Sequence, residues 1–176
     1  MSVAADPRDE FLAVTLPCLD LVYNLARRTM PDPDLVDDLV QETYVRAFDA
    51  WCSHRRPRRV EPWLATICLN AGRSYWRRAS TRREVTLEEV DPGPTAHGEV
   101  EDRAILRVRQ RLVHDALWQL PDEQRIAITL MDLDGFNARE VARITGSPRG
   151  TVLSRVHRGR KRLAQILSKE VERHEA

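Results

Sequence analysis

Between Asn137 and Arg162 the chain reads NAREVARITGSPRGTVLSRVHRGRKR, a run whose arginines stand where they can reach nucleic acid. Asn137 can cap a short helix, and Glu140 three residues later completes a capping box. Val141, Ala142 and Ile144 give that helix an apolar side. Thr145-Gly146-Ser147-Pro148 ends it, with Gly146 suited to a left-handed turn position. Ser147 suits the cap of the next helix and Pro148 its first turn, where a missing N–H costs nothing. On that second helix Val152, Val156 and Leu163 recur at helical spacing and should face inward. Ser154, Arg155, His157, Arg158, Arg160, Lys161 and Arg162 are left pointing out. A helix-turn-helix of this form lays its second helix in a DNA major groove, where arginines meet phosphates or guanine edges. The plainer alternative, a solvated helix closing a bundle, gives no reason for two caps around a Gly-Ser-Pro turn.

A second segment, PWLATICLNAGRSYWRR, sets Trp63, Leu64 and Ile67 against Asn70, Arg73, Ser74, Arg77 and Arg78. Spacings of three and four put the polar set on one helix face. An amide among arginines can hold a nucleic-acid backbone and offer hydrogen bonds to bases. Tyr75 and Trp76 could stack on unpaired bases, worth roughly 1–3 kcal/mol each. Trp63 reads as core, and Trp76 divides evenly between packing anchor and stacking surface.

Other chemistry finds little support. His54, His97, His114, His157 and His174 are scattered, with no nucleophile motif or phosphate-cradling glycine loop beside them. That argues against an enzyme. Cys18, Cys52 and Cys68 are odd in number and lack C-x-x-C spacing, so neither a disulfide framework nor a zinc site is expected. Cys18 and Cys68 sit among apolar residues and read as core; Cys52, beside an arginine-rich loop, is the candidate for a reactive thiol. No apolar run approaches membrane-spanning length and no signal-peptide pattern opens the chain, so a cytoplasmic protein is expected. No metal and no cofactor are expected.

The 176 residues carry a net charge of only +1, which conceals strong segregation. Met30–Asp49 holds six acids against Arg46, and Arg55–Arg83 nine arginines against Glu61. Glu84–Asp102 has seven acids and no Lys or Arg, and Arg139–Lys169 nine bases against Glu140. Two basic blocks suggest two nucleic-acid contacts, with the acidic blocks meeting something else.

The elements that must position these groups read as helices nearly throughout. A first helical region spans about Asp9 to Thr29, broken near Pro17, with Leu21 and Leu25 inward. Asp32-Pro33 starts a second helix, whose apolar set from Leu35 to Trp51 is wide enough to pack on two sides. After an arginine-rich loop, Cys52–Arg59, Pro62 opens a third. Asp91-Pro92-Gly93-Pro94 lies within an acidic stretch of linker composition. Helices from about Ala104 to Leu120 and from Asp122 to Leu133, parted by Pro121, then lead into the helix-turn-helix. The expected fold is all-α: two small helical domains, residues 1–82 and 104–176, joined by a flexible acidic linker over 83–103.

Three segments, in this order, resemble bacterial RNA polymerase sigma factors of the extracytoplasmic-function (ECF) group. DPDLVDDLVQETYVRAFDAW looks like the acidic helix gripped by the polymerase core, and PWLATICLNAGRSYWRR like the promoter-melting, −10-recognition helix. ALWQLPDEQRIAITLMDLDGFNAREVARITGSPRGTVLSRVHRGRKRL is similar to the −35-reading domain. The match covers about residues 10–80 and 104–168.

That resemblance implies that Asp37, Asp38, Leu39, Gln41 and Glu42 face the clamp helices of RNA polymerase core, with the polymerase flap as a further contact. The solvated-face alternative for Asp37, Asp38 and Glu42 stays open. It implies that Asn70, Arg73, Ser74, Arg77 and Arg78 lie at the −10 element. The loop carrying Arg55, Arg56, Arg58 and Arg59 would edge a pocket for a flipped base, whose extrusion costs a few kcal/mol. Arg149 and Thr151 would approach phosphates at a helix N-terminus. Ser154, His157 and Arg158 would lie nearest base edges, with Arg155 and Arg160 beside them. The acidic linker would imitate nucleic acid near the transcript path, and an anti-sigma partner is implied as well. Three departures stand out. Leu153 replaces a usual Lys or Arg, Leu69 and Ser74 replace frequent Arg and Asp, and Gly159 replaces an alanine at a cost of roughly 1 kcal/mol if exposed. The competing function is a helix-turn-helix regulator that dimerises and binds operators without polymerase.

Overall fold

The computed structural model describes residues 6–53, 56–81 and 111–174, with side chains left out at 76–81 and 170–174. The expected linker, the first seven residues of the helix expected from Ala104, and Arg55 lie outside the described residues. Among the described residues every regular element is helical.

Helix α1 spans Pro7–Thr15 and α2 Leu19–Thr29, with a 3-10 turn at Leu16–Cys18 between them. Pro17 enforces that joint because its ring leaves no N–H for a continuing α-helical ladder. A second 3-10 turn, Pro33–Leu35, is set by Asp32, whose side chain accepts from the Asp34 N–H at 3.0 Å. It leads into α3, Val36–Cys52. Helix α4 runs from Val60 to Thr81 and starts two residues earlier than Pro62 suggests.

These helices close on Val22, Leu25, Leu39, Leu64 and Cys68, all fully buried. Phe11 packs edge-on against Phe48 and Trp51 at 5.2 and 5.8 Å, which pins α1 to α3. Tyr44 Oη donates to the Thr15 carbonyl at 3.0 Å, giving a free acceptor at the end of α1 its partner. Burial pushes the Cys68 thiol up to about 12, so it behaves as core.

The C-terminal part begins with α5 over residues 111–118, then α6, Asp122–Ile128, which continues as a π-helical turn, Thr129–Leu133. Helix α7 is Ala138–Thr145 and α8 Arg149–His174. Both bonds of the capping box are present. Asn137 Oδ1 accepts from the Glu140 N–H at 3.1 Å, and Glu140 Oε2 accepts from the Asn137 N–H at 2.9 Å. Gly146 takes φ +67°, the left-handed value expected of it. Ser147 differs from expectation: its hydroxyl accepts from Arg155 Nη1 at 2.7 Å.

Gly159 is a correction. It is not an exposed weak point but a buried packing position facing Ile128 of α6.

The two halves also touch, which no sequence pattern announced. One apolar cluster runs from Leu25, Leu64 and Cys68 through Leu130 and Phe136 to Val141 and Ile144. Helix α4 lies against α7, and α2 against α6.

Candidate functional site

On α3 the buried side holds Val36, Leu39, Thr43 and Ala47, so the opposite side must face out. It carries Asp37, Asp38, Gln41 and Asp49 exposed, with Glu42 half-buried beside Arg46 in an i,i+4 ion pair of 2.7 Å. Leu39 is a correction: with no exposed surface it belongs to the core and cannot face a partner. Val45, 57% exposed, lies on this outer side, although the sequence reading had not singled it out. With Asp38, Glu42 and Asp49 it recurs at spacings of four, three and four, which places an apolar spot inside an acidic face. Its signal was present, since Val45 falls off the buried phase of α3.

Helix α4 turns Leu64, Ala65, Cys68, Leu69 and Ala71 inward. Leu69 is therefore core, and its difference from the family's frequent Arg removes no surface contact. Asn70 and Arg73 are exposed, while Ser74 is half-buried with Oγ donating to the Asn70 carbonyl at 3.2 Å. Arg73 Nη1 donates to Asn70 Oδ1 at 3.2 Å, fixing the amide on the helix surface. Arg77 and Arg78 lie on the same helix; their side chains fall outside the described residues.

The loop before α4 is tied at both ends. Arg56 pairs with Glu10 and stacks 4.4 Å over the Trp51 ring. Arg59 pairs with Glu140, and Arg58 is exposed. Arg55 lies outside the described residues.

On α8 the valines Val152 and Val156 face the core and so set the helix's phase. Arg149, Ser154, His157 and Arg158 are exposed and Thr151 half-buried. Two arginines expected at DNA are otherwise engaged. Arg155 turns inward to Glu123 at 2.6 Å and to Ser147, which fastens α8 to α6 and to the turn. Arg160 makes a two-pronged bond to Asp132, at 2.9 and 2.5 Å. Both position the helix rather than lie free on its outer face. Leu153 is 43% exposed and adds an apolar spot there.

The supporting shell centres on Arg125, buried at 2% exposure. Its Nε donates to the Arg28 carbonyl at 2.9 Å, Nη1 to the Leu120 carbonyl at 3.2 Å and Nη2 to Asp122 at 2.7 Å. Its guanidinium lies 4.0 Å over the Trp118 ring. Nearby Asp134 Oδ1 accepts from Arg28 Nη1 at 3.4 Å. Burial pushes the Asp134 carboxyl up to about 6, against the pull of Arg28. Among the described residues no group of three or more His, Cys, Asp or Glu could hold a metal ion. None of the described helices is long and apolar enough to cross a membrane.

An exposed acidic helix, a polar arginine-bearing helix and a capped helix-turn-helix now stand in one chain, in that order. Residues 17–82 match the family model for sigma-70 region 2, and residues 110–163 that for sigma-70 region 4. The ECF RNA polymerase sigma factor SigM of Mycobacterium tuberculosis is 35% identical over 146 residues, covering 83% of this chain and 71% of the relative. The chain belongs to the ECF sigma factors. EcfG of Rhodopseudomonas palustris, another ECF sigma factor, is 38% identical over 170 residues, with 91% of this chain and 84% of the relative covered. Among solved structures, the sigma factor RpoE from Bartonella quintana, crystallised with the anti-sigma factor NepR, superposes with a TM-score of 0.76 at 29% identity. That match covers 90% of this chain and 97% of the other. In this sigma factor the region 2 match takes in α2, α3 and α4, and the region 4 match takes in α5 to α7 and most of α8.

Proposed function

We propose that this chain binds RNA polymerase core through the outer face of α3, reads −10 and −35 elements with α4 and α8, and starts promoter melting. The observation that carries this is the order of faces on one chain. Asp38, Glu42, Val45 and Asp49 offer an acidic surface with an apolar centre, and two arginine-bearing helices follow it. Acidic carboxylates repel DNA, so that face suits a protein partner rather than the promoter. Asn70 and Arg73 contact the −10 element, and Arg149, Ser154, His157 and Arg158 the −35 element. Arg56, on the loop expected to edge the pocket for an unstacked base, lies over the Trp51 ring. Like the RpoE solved with NepR, the chain is held by an anti-sigma protein when not needed. It works where polymerase and chromosome meet, in the cytoplasm.

Separation of roles tests this. Asp38→Ala with Glu42→Ala should abolish co-purification with core enzyme while leaving the fold intact. Asn70→Ala should keep core binding and impair strand opening, read by permanganate reactivity of unpaired thymines. Loss of core binding by Asn70→Ala, or its retention by the acidic pair, contradicts the assignment.

A further inference from the structure

Leu153 follows the buried Val152 on α8 and is 43% exposed. Among the described residues of α8 it is the one large hydrophobic side chain left in the open. Groups of the opposite kind surround it: Arg149 one turn before, His157 one turn after and Ser154 beside it, all exposed. Gly150, three residues earlier on the same flank, is exposed too, and a Cβ there would meet nothing within 4 Å. No neighbour demands a glycine there, unlike Gly159 against Ile128. The helix surface is therefore bare where it runs up to the leucine.

The leucine has no way to turn inward. Val152 and Val156 are buried and fix the phase of α8 from beneath. Arg155 holds Glu123 at 2.6 Å on one side of the helix, and Arg160 holds Asp132 at 2.9 and 2.5 Å on the other. Leu153 is thus aimed outward by the fold. A major groove offers mostly hydrogen-bonding groups, the acceptors N7, O6 and O4 and the amino donors; the thymine C5-methyl is its apolar exception. Arginine, serine and histidine can address the polar groups. Leucine has no donor or acceptor, so against a guanine or cytosine edge it would strip water and return no hydrogen bond.

We propose that Leu153 selects a thymine in the −35 element by packing on its C5-methyl, and so favours T·A at one position. The inference rests on the assignment of α8 to that element and names what one of its residues selects. Burying a single methyl against an aliphatic side chain is a modest contact, about fourfold in affinity. That is enough to rank promoters rather than to hold them. The holding falls to charged neighbours such as Arg149 and Arg158. Removing Leu153 should therefore change which sequences are preferred more than how tightly DNA is bound.

The test uses core polymerase carrying the full chain. Rounds of selection from a random duplex library yield the upstream element. Each thymine in it is then replaced singly by deoxyuridine, which keeps the base pair and O4 and lacks only the methyl. One such replacement should weaken binding to the parent about fourfold in a competition assay. Leu153→Ala, a truncation at the surface, should bind both duplexes equally. Leu153→Lys should lose the discrimination as well, even while its added charge tightens binding overall. A parent indifferent to every deoxyuridine overturns the proposal. So does a methyl preference that survives in Leu153→Ala, since it then comes from groove shape or from another residue. A Leu153→Ala chain that no longer joins core enzyme assigns the leucine to a protein surface, and overturns it too. These outcomes leave α8 at the −35 element. If selection enriches no upstream element, the −35 assignment itself falls and takes this inference with it.

Discussion

Gly159 of α8 faces Ile128 of α6 so closely that a Cβ on Gly159 would lie 2.6 Å from Ile128 Cδ1. It would also lie 3.3 Å from Ile128 Cγ1 and from Gln124 Cβ. Ile128 is itself buried with Leu117 and Leu120, so its end methyl has little room to turn away. Gly159→Ala should therefore destabilise the chain by about 1–3 kcal/mol through overpacking. That outweighs the roughly 1 kcal/mol an exposed glycine-to-alanine change would contribute to a helix. Urea denaturation measures it, and Ile128→Val, which removes the clashing methyl, should restore most of the loss.

Arg125 supplies donors to two carbonyls that lie outside regular helical bonding and packs on Trp118. Arg125→Ala strands the Arg28 and Leu120 carbonyls in a buried site and should cost about 3 kcal/mol or more. Arg125→Lys should rescue little, because an ammonium lacks the flat fork that meets three acceptors at once. Thermal melts of both variants decide this; full rescue by lysine would show that charge alone matters.

The Asp134 carboxyl, raised to about 6 chiefly by burial, gives a pH dependence whose sign is fixed. An unfolded aspartate titrates near about 3.9, so the folded chain holds this proton more tightly. The contribution of Asp134 to stability is therefore greatest in acid and declines as pH rises from about 4 to about 6. Asp134→Asn mimics the protonated form. Its melting temperature should exceed the parent's at about pH 7.5, and the gap should close towards about pH 5. A gap that grows in acid would reverse the sign.

Among the arginines of α8, the exposed Arg158 and the Asp132-bound Arg160 should behave differently. Arg158→Ala should weaken binding to a −35 duplex by about 1–3 kcal/mol if the side chain reads a base edge. Arg160→Ala should mainly loosen α8 from the π-helical turn, a surface pair worth about 0.2–1 kcal/mol. Filter binding alongside urea melts separates the two effects.

Local rules made much of this legible in the sequence. Asn137, Glu140, Gly146 and Pro148 act through hydrogen bonds and backbone angles within a few residues, so the helix-turn-helix could be read directly. Helical spacing put Asn70 and Arg73 on the surface of α4 and Val152 and Val156 in the core. Leu39 was assigned by resemblance along a motif, against a helix phase that buries it, and the phase was the better guide. Arg155 and Arg160 look like any other outward arginine until Glu123 and Asp132, far off in sequence, are brought beside them. Gly159 likewise depends on where Ile128 falls. The contact between the two halves joins a shared apolar cluster to polar pairs such as Arg59 with Glu140, 81 residues apart, and no periodicity signals which distant residues meet.

Transcription in vitro is the most direct measurement of whether this chain directs polymerase to promoters. Purified core enzyme, supplied with the chain and a library of genomic fragments, should start transcripts at discrete sites sharing two upstream elements. Core alone, or core with the Asp38→Ala, Glu42→Ala chain, should give none of them. Discrete starts that persist without the chain, or a homodimer that binds duplex DNA tightly and leaves core enzyme silent, would contradict the assignment.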